Sequence, residues 1–176
     1  MTERHTQVSI RSATAFDAVN IAKLLKAAWE PTQAAEAVQV NDQRALEYIT
    51  GVLKDSHSIV ADVSGRLVGA LACALMRERW SRSDDWFLVE EWFVISPNWI
   101  ARGLADQLLV RAEAFADQQH LPLLLGGSLM YLAPAEPLLN HRPGYQRLNA
   151  QYLRMPQALV GDETAATHTR IEAQPA

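Results

Sequence analysis

The sequence predicts a single α/β domain built on a mixed, mostly antiparallel, twisted sheet flanked by helices. Three observations predict it. The 176 residues are 49% hydrophobic and 20% charged, which supplies enough apolar side chains for one sizeable core. Segments of strand period and of helix period alternate in the order strand, two helices, three antiparallel strands, helix, strand, helix, two strands, with no internal repeat and no linker-like stretch. Finally, Phe93 to Leu109 begins as a β-rich apolar run, breaks at Ser96-Pro97 and resumes as a helical pattern after Gly103.

Each element has its own local cause. Val8-Ser9-Ile10-Arg11 alternates apolar and polar, as a first strand does. Thr14 followed by Asp17 reads as a capping box, with Asp in the place of Glu, and opens a helix carrying Ala18, Ile21, Ala22, Leu25 and Ala28 on one face. Glu30-Pro31 ends it, because proline disfavours α geometry in the residue before it. Thr32 to Val40 reads as loop. Asn41 caps a second helix whose buried stripe is Leu46, Ile49, Val52 and Leu53. Ser64-Gly65-Arg66 between His57–Val63 and Leu67–Met76 is a hairpin signal, and Gly69 marks a bulge. A polar loop, Arg77 to Asp85, leads to the strand Trp86 to Ile95.

The next helix carries Leu104, Leu108, Val110, Ala112 and Phe115 and ends near His120. Leu121 to Leu125 is the uninterrupted apolar run of a buried strand, bent by Gly126-Gly127. Ala133 to Asn140 reads as a short helix with Pro134 in its first turn. Gly144 to Leu148 and Ala150 to Met155 read as the last two strands. The folded domain therefore spans 8–155, and residues 156–176, with little to bury, read as a mobile tail.

Composition excludes several function classes. A net charge of −4 and a pI near 5.7 lack the basic face of a nucleic-acid binder. The first residues have no apolar signal core, and no apolar run nears the roughly 18 residues of a membrane span, so the expected protein is soluble, cytoplasmic and off the membrane. The one cysteine, Cys73, lies in an apolar run and reads as a buried structural thiol. His57, His120 and His141 have no metal-ligand spacing, so no metal is expected, and Ser128 lacks the Gly-x-Ser-x-Gly frame of a hydrolase elbow.

The break in the strand–helix unit carries the chemistry. Gly103 and Ala105 at the opening turn of a helix let backbone N–H groups approach a ligand, and those amides with the helix dipole behind them suit a phosphate. Arg102 adds a cation for the same anion. Ile95-Ser96-Pro97 followed by Ile100-Ala101-Arg102-Gly103-Leu104-Ala105 resembles the acyl-coenzyme-A-binding motif of the GNAT superfamily of N-acetyltransferases. That motif is (Gln/Arg)-x-x-Gly-x-(Gly/Ala) after a strand ending Val-x-Pro. Ile100 replaces the usual Gln or Arg, which removes a side chain and keeps the backbone cradle. The order of elements over 8–155 is similar to the acetyltransferase fold, and Arg142-Pro143-Gly144-Tyr145-Gln146-Arg147 resembles the family's Lys-Leu-Gly-Phe-x-x ending.

The resemblance implies an acetyl-CoA-dependent N-acetyltransferase acting on a primary amine, small molecule or peptide, by direct attack in a ternary complex. It implies that the backbone of Phe93, Val94 and Ile95 pairs with the pantetheine amides, that Ile100, Ala101, Arg102, Gly103, Leu104 and Ala105 hold the pyrophosphate, and that a backbone N–H of the fourth strand is the oxyanion donor. Acetyl transfer needs the amine delivered neutral. Glu90 and Glu91 are the candidate bases; alternation puts them on opposite faces, with Glu91 beside Phe93 and Ile95 unless a bulge exchanges the two, and Glu91 is preferred. The family's acidic Tyr, five residues before the aromatic of its Gly-Phe pair, falls here on Asn140, which cannot donate a proton as an acid does. Its neighbour His141, or Tyr131, is a substitute.

The five tryptophans, Trp29, Trp80, Trp86, Trp92 and Trp99, are candidates to line an acceptor pocket, although core packing is the commoner use of Trp. Asp84 and Asp85 are placed to attract an amine. A homodimer is one assembly open to the chain, dimers being common among relatives. A second function class stays open beside the enzyme: a catalytically inactive acyl-CoA-binding or protein-interaction module of the same fold, which the residues at Ile100 and Asn140 would suit.

Overall fold

The computed structural model describes residues 7–31, 35, 40–77, 86–126, 139–140, 142–148 and 151–154. Strand β1, Ser9–Ser12, lies antiparallel to β2, Ser56–Val63, with Ile10 opposite Ala61. Between them come a 3-10 turn at Ala15–Asp17 and helices α1, Ala18–Trp29, and α2, Asp42–Asp55. The Asp17 carboxylate accepts the Thr14 backbone N–H and both terminal Arg11 nitrogens, each at 2.8 Å, so one buried acid ties β1 to the start of α1. Asn41 caps α2, its Oδ1 accepting the Arg44 N–H at 3.0 Å.

β2 turns into β3, Arg66–Arg77, through Ser64 and Gly65, both left-handed at φ 53° and 83°. A two-residue turn with both φ positive matches the twist of a hairpin, and glycine makes it cheap. β3 pairs antiparallel with β4, Trp86–Ile95. A single helical turn, α3 at Pro97–Ile100, then leads to α4, Leu104–Gln119. β5 is Leu123–Leu125, β6 Tyr145–Leu148 and β7 Gln151–Arg154. These described strands form one sheet in the order β1-β2-β3-β4-β5-β7-β6, antiparallel except where β4 meets β5.

The sheet buries both faces. α4 covers one, packing Leu104, Leu108 and Ala112 on Leu71, Phe93 and Leu123. α1 and α2 cover the other, packing Ile21, Leu25 and Ile49 on Val60, Ala70, Trp92 and Val94. Gly69 lets α4 come close: a Cβ there would sit 3.1 Å from Leu108 Cδ1 and 3.2 Å from Leu104 Cδ2. The bulge expected at Gly69 is one step away, where the β2–β3 register passes from Ala61–Gly69 to Asp62–Leu67 and leaves Val68 extra. The α4 stripe also differs from the reading of the sequence. Val110 is exposed and Leu109 and Ala116 are buried, because the covered arc is set by where the sheet lies.

Cys73 is buried, and burial raises its thiol pKa. No described helix is long and apolar enough to cross a membrane. The polar loop around Trp80, Asp84 and Asp85, the second residue of the Gly126-Gly127 bend, Ser128, most of the helix expected at Ala133–Asn140, and the tail expected at 156–176 lie outside the described residues.

Candidate active site

β4 and β5 run parallel and then part. Their ladder holds only Leu88 to Leu123 and Val89 to Leu124, closed below by the Leu88 N–H on the Pro122 carbonyl at 2.9 Å. β4 continues to Ile95, whereas β5 ends at Leu125 before Gly126, which turns away at φ 87°. Among the described residues, the β4 edge from Glu90 to Ile95 therefore has no strand beside it. Backbone amides on such an edge want partners, and an extended chain carrying amides of its own satisfies them. The Phe93-Val94-Ile95 segment read from the sequence lies on this edge.

A bulge sits where the strands part. The β3–β4 register steps from Ala72–Trp92 to Cys73–Glu90, which leaves Glu91 as the extra residue. Glu91 thus falls on the helix α2 side with Trp92, away from Phe93 and Ile95. Its Oε2 accepts a hydrogen bond from the Tyr48 hydroxyl of α2. Burial, then the hydrogen bond to Glu91, raises the Tyr48 phenol well above its ordinary value.

Glu90 takes the opposite face, level with Cys73, and is 3% exposed. Its Oε2 accepts the Gly126 backbone N–H at 2.8 Å, while its Oε1 is buried with no hydrogen-bond partner among the described residues. Burial pushes the Glu90 carboxyl up to about 7; the Gly126 N–H pulls the other way, and the Glu91 charge adds to the rise. A carboxyl that exchanges its proton near neutrality, with one oxygen unclaimed, is what a general base requires.

At the far end of the edge lies the turn. Proline opens α3 as its first residue, and Ala101–Gly103 leads into α4, with Gly103 left-handed at φ 70° as the residue before the helix. A Cβ on Gly103 would meet nothing within 4 Å, so glycine is required there by the backbone angle and not by crowding. The first N–H groups of a 16-residue helix are thus presented past a bare Cα. Arg102 stacks its guanidinium 4.8 Å above the Trp99 ring, which holds the cation at the turn. Ile100 packs against the α4-side core, so its contribution is to anchor the loop.

Two features escaped the sequence. Arg142, the first residue of the closing run, binds Glu113 through Nε and Nη2 and Asp106 through Nη1. It thereby ties the start of β6 to α4 and occupies the one acid in the first turn of that helix. The second is a cavity of about 710 Å³ between α1, α2 and β4, walled by Leu25, Trp29, Leu46, Ile49 and Val89, with strand residues Glu90 and Glu91 also on its lining. Leu46, on the apolar stripe of α2, is left 36% exposed at its rim.

The remaining candidates divide. Asn140 is exposed beside the buried Leu139, whereas Tyr131 and His141 lie outside the described residues. Trp29 lines the cavity, Trp92 is core, Trp99 serves the turn and Trp86 is exposed. His57 stacks face to face on Phe115 at 3.7 Å, and burial lowers its pKa. No group of described His, Cys, Asp and Glu is placed to hold a metal ion.

Comparison with known proteins follows the same line. The family model described as the acetyltransferase (GNAT) family matches residues 19–128. No curated protein matches the chain by sequence. Among similar solved structures is a GNAT family acetyltransferase from Brucella melitensis in complex with acetyl-CoA, 17% identical, TM-score 0.61, covering 86% of this chain and 89% of that one. Another is a GNAT family N-acetyltransferase from Escherichia coli in complex with CoA, 17% identical, TM-score 0.62, covering 88% and 84%. An acetyltransferase from Trypanosoma brucei is 18% identical with a TM-score of 0.55 over 81% and 96%. At these identities the likeness shows a shared fold.

Proposed function

The chain belongs to the acetyltransferase (GNAT) family, and on that premise we propose that it transfers an acetyl group from acetyl-CoA to a primary amine by direct attack in a ternary complex. The observation that carries the reading is the fork: a β4 edge with no strand beside it among the described residues runs from a near-neutral acid, Glu90, to a glycine turn at a helix N-terminus. That two of the similar structures hold acetyl-CoA or CoA supports the choice of co-substrate.

Acetyl-CoA supplies a thioester activated for attack. The edge amides of Phe93, Val94 and Ile95 bind its pantetheine arm, and the turn from Ile100 to Ala105 binds the pyrophosphate through backbone N–H groups, with Arg102 beside them. A β4 backbone N–H stabilises the carbonyl oxygen as it gains charge. Glu90 takes the proton of the substrate ammonium. The N–C bond then forms as the C–S bond breaks, and the proton shed by nitrogen returns to sulfur through water.

Glu91 holds Tyr48 at the cavity wall and orients the amine, a positioning role in place of the preferred base. Asn140 is a hydrogen-bond donor for the sulfur, and Tyr131 is a second candidate for it. The test is calorimetric titration with acetyl-CoA of the natural protein and of Gly103→Glu. Micromolar binding lost in the variant is expected; equal binding by both would sink the assignment of the turn.

A further inference from the structure

We propose that the α4 face of the sheet carries a proton outlet for Glu90, running over Cys73 to His57 and away from the fork; this rests on the acetyl-transfer reading above. Acetylation of an ammonium sheds one net proton. Of the two that nitrogen loses, one goes to sulfur and the other to Glu90. Glu90 must pass that proton to water before it acts again, yet it is 3% exposed. With donor and acceptor in the fork, an exit that stays open has to leave by the other side.

Three strand residues mark it. His57 stands opposite Cys73 in the β2–β3 register, and Cys73 stands opposite Glu90 in the β3–β4 register. They form one row across the sheet on the face that α4 covers. Each end of the row carries a buried polar atom with no hydrogen-bond partner among the described residues, Glu90 Oε1 and His57 Nε2. Two such atoms on one face call for one explanation, and bridging water supplies it. Strands about 4.8 Å apart put the ends of the row about 10 Å apart at the backbone, a gap for the Cys73 thiol and about two waters.

A recess of about 430 Å³ brings solvent to the His57 end. Its lining runs from the exposed Lys54 and Asp55 to the buried Cys73 and Leu88. Phe115 holds the imidazole there by face-to-face stacking at 3.7 Å. Burial, then the Glu90 charge, raises the Cys73 pKa, so the thiol keeps its proton and both donates and accepts along the row. Burial also keeps His57 below its ordinary 6.5 and Glu90 at about 7, so neither end traps the proton. Lys54 and Asp55 are the charges at the mouth, α4 contributes the neutral Phe115 and Gln119, and Glu91 lies on the other face. The proton leaves Glu90 Oε1 through water, is taken by His57 Nε2 and passes to the recess.

The experiment is time-resolved infrared spectroscopy of the Glu90 carboxyl band, identified by its absence in Glu90→Gln, after a light flash frees protons from a caged acid. Acetyl-CoA binding is measured first by calorimetry. The natural protein should protonate Glu90 equally fast with and without bound acetyl-CoA. His57→Gln should slow the step on the order of tenfold with acetyl-CoA bound and little without it, and imidazole in the medium should restore the rate. His57→Phe, which stacks on Phe115 without a titrating nitrogen, should behave alike, and melting curves of both variants report the fold. Slowing of the natural protein by acetyl-CoA overturns the outlet, whether or not the variants fold. Folded variants as fast as the natural protein with acetyl-CoA bound overturn it too, and leave the acetyl-transfer reading standing. Absence of acetyl-CoA binding overturns that reading and the inference with it.

Discussion

The Glu90 carboxylate accepts the Gly126 backbone N–H at 2.8 Å, joining β4 to the end of β5 at the level where their ladder stops. The bond replaces the next rung of the sheet by a side chain. It sets the carboxyl at the vertex of the fork, and the burial that comes with this position is what raises its pKa to about 7.

Glu90→Gln tests the base. The isosteric amide should keep acetyl-CoA affinity and lower kcat by about 10² to 10⁴, the usual contribution of a positioned base. Turnover by the natural enzyme should rise with pH through about 7 as the carboxyl ionises, and that limb should be missing from the variant. The stability profile has the opposite slope. With the folded pKa raised above its ordinary 4.5, the folded state holds the proton longer, so stability falls as pH rises from about 4.5 through 7. Glu90→Gln should then melt higher than the natural protein at pH 8 and lose that advantage at pH 5. A pH-independent rate in the natural enzyme between 6 and 8 would remove Glu90 from the role.

Gly103→Ala separates backbone strain from occupancy. The space above the Cα is open, so the cost comes from φ 70° alone, on the order of 1 kcal/mol. Chemical denaturation should show that loss, with acetyl-CoA binding weakened several-fold and not abolished. Complete loss of binding on adding one methyl would instead mean that the ligand touches the Cα.

Arg142→Met should destabilise by about 2 kcal/mol, since two carboxylates of α4 lose a cation that is only 14% exposed. The half-exposed Asp106 keeps the figure below that of a fully buried pair. A second effect separates this variant from simple unfolding. Asp106 in the first turn of α4 would regain an uncompensated charge near the proposed pyrophosphate site, so acetyl-CoA affinity should fall most at low salt and recover as salt is added.

The Arg11–Asp17 pair governs the acid limb of stability. The Arg11 guanidinium holds the Asp17 carboxyl at about 2, below its ordinary 3.8. A depressed pKa contributes stability above about 4 and loses it as pH falls towards 2. Arg11 is 41% exposed, so solvent screening reduces the value to about 1 kcal/mol. Asp17→Asn should lower the melting temperature at pH 7 by a few degrees, and the difference from the natural protein should vanish near pH 2.

Much of this was legible in the sequence because its cause is local. Ser64-Gly65, Asn41, Thr14 with Asp17, and Gly103 each specify a backbone angle or a cap within four residues, and each is found where the sequence put it. The acids show where local reading stops. Val89-Glu90-Glu91-Trp92 carries no mark of a bulge, and strict alternation assigns both acids to the wrong faces once Glu91 is extra. Glu90 is distinguished by a partner 36 residues away, and Arg142 by partners 29 and 36 residues away. The cavity is a property of two helices and a strand together, and no single segment encodes it.

The β4 edge beyond the fork is also a ruler. From Glu90 to Ile95 the backbone advances about 3.3 Å per regular residue, at most roughly 17 Å with Glu91 bulged, before the turn at Ala101–Gly103. A donor anchored at the turn delivers its far end to the carboxyl only if its arm matches that span. On the acetyl-transfer reading, a shortened thioester would reach one landmark and miss the other, so donor choice would be exercised by length, through backbone geometry that side-chain substitution along the strand leaves intact.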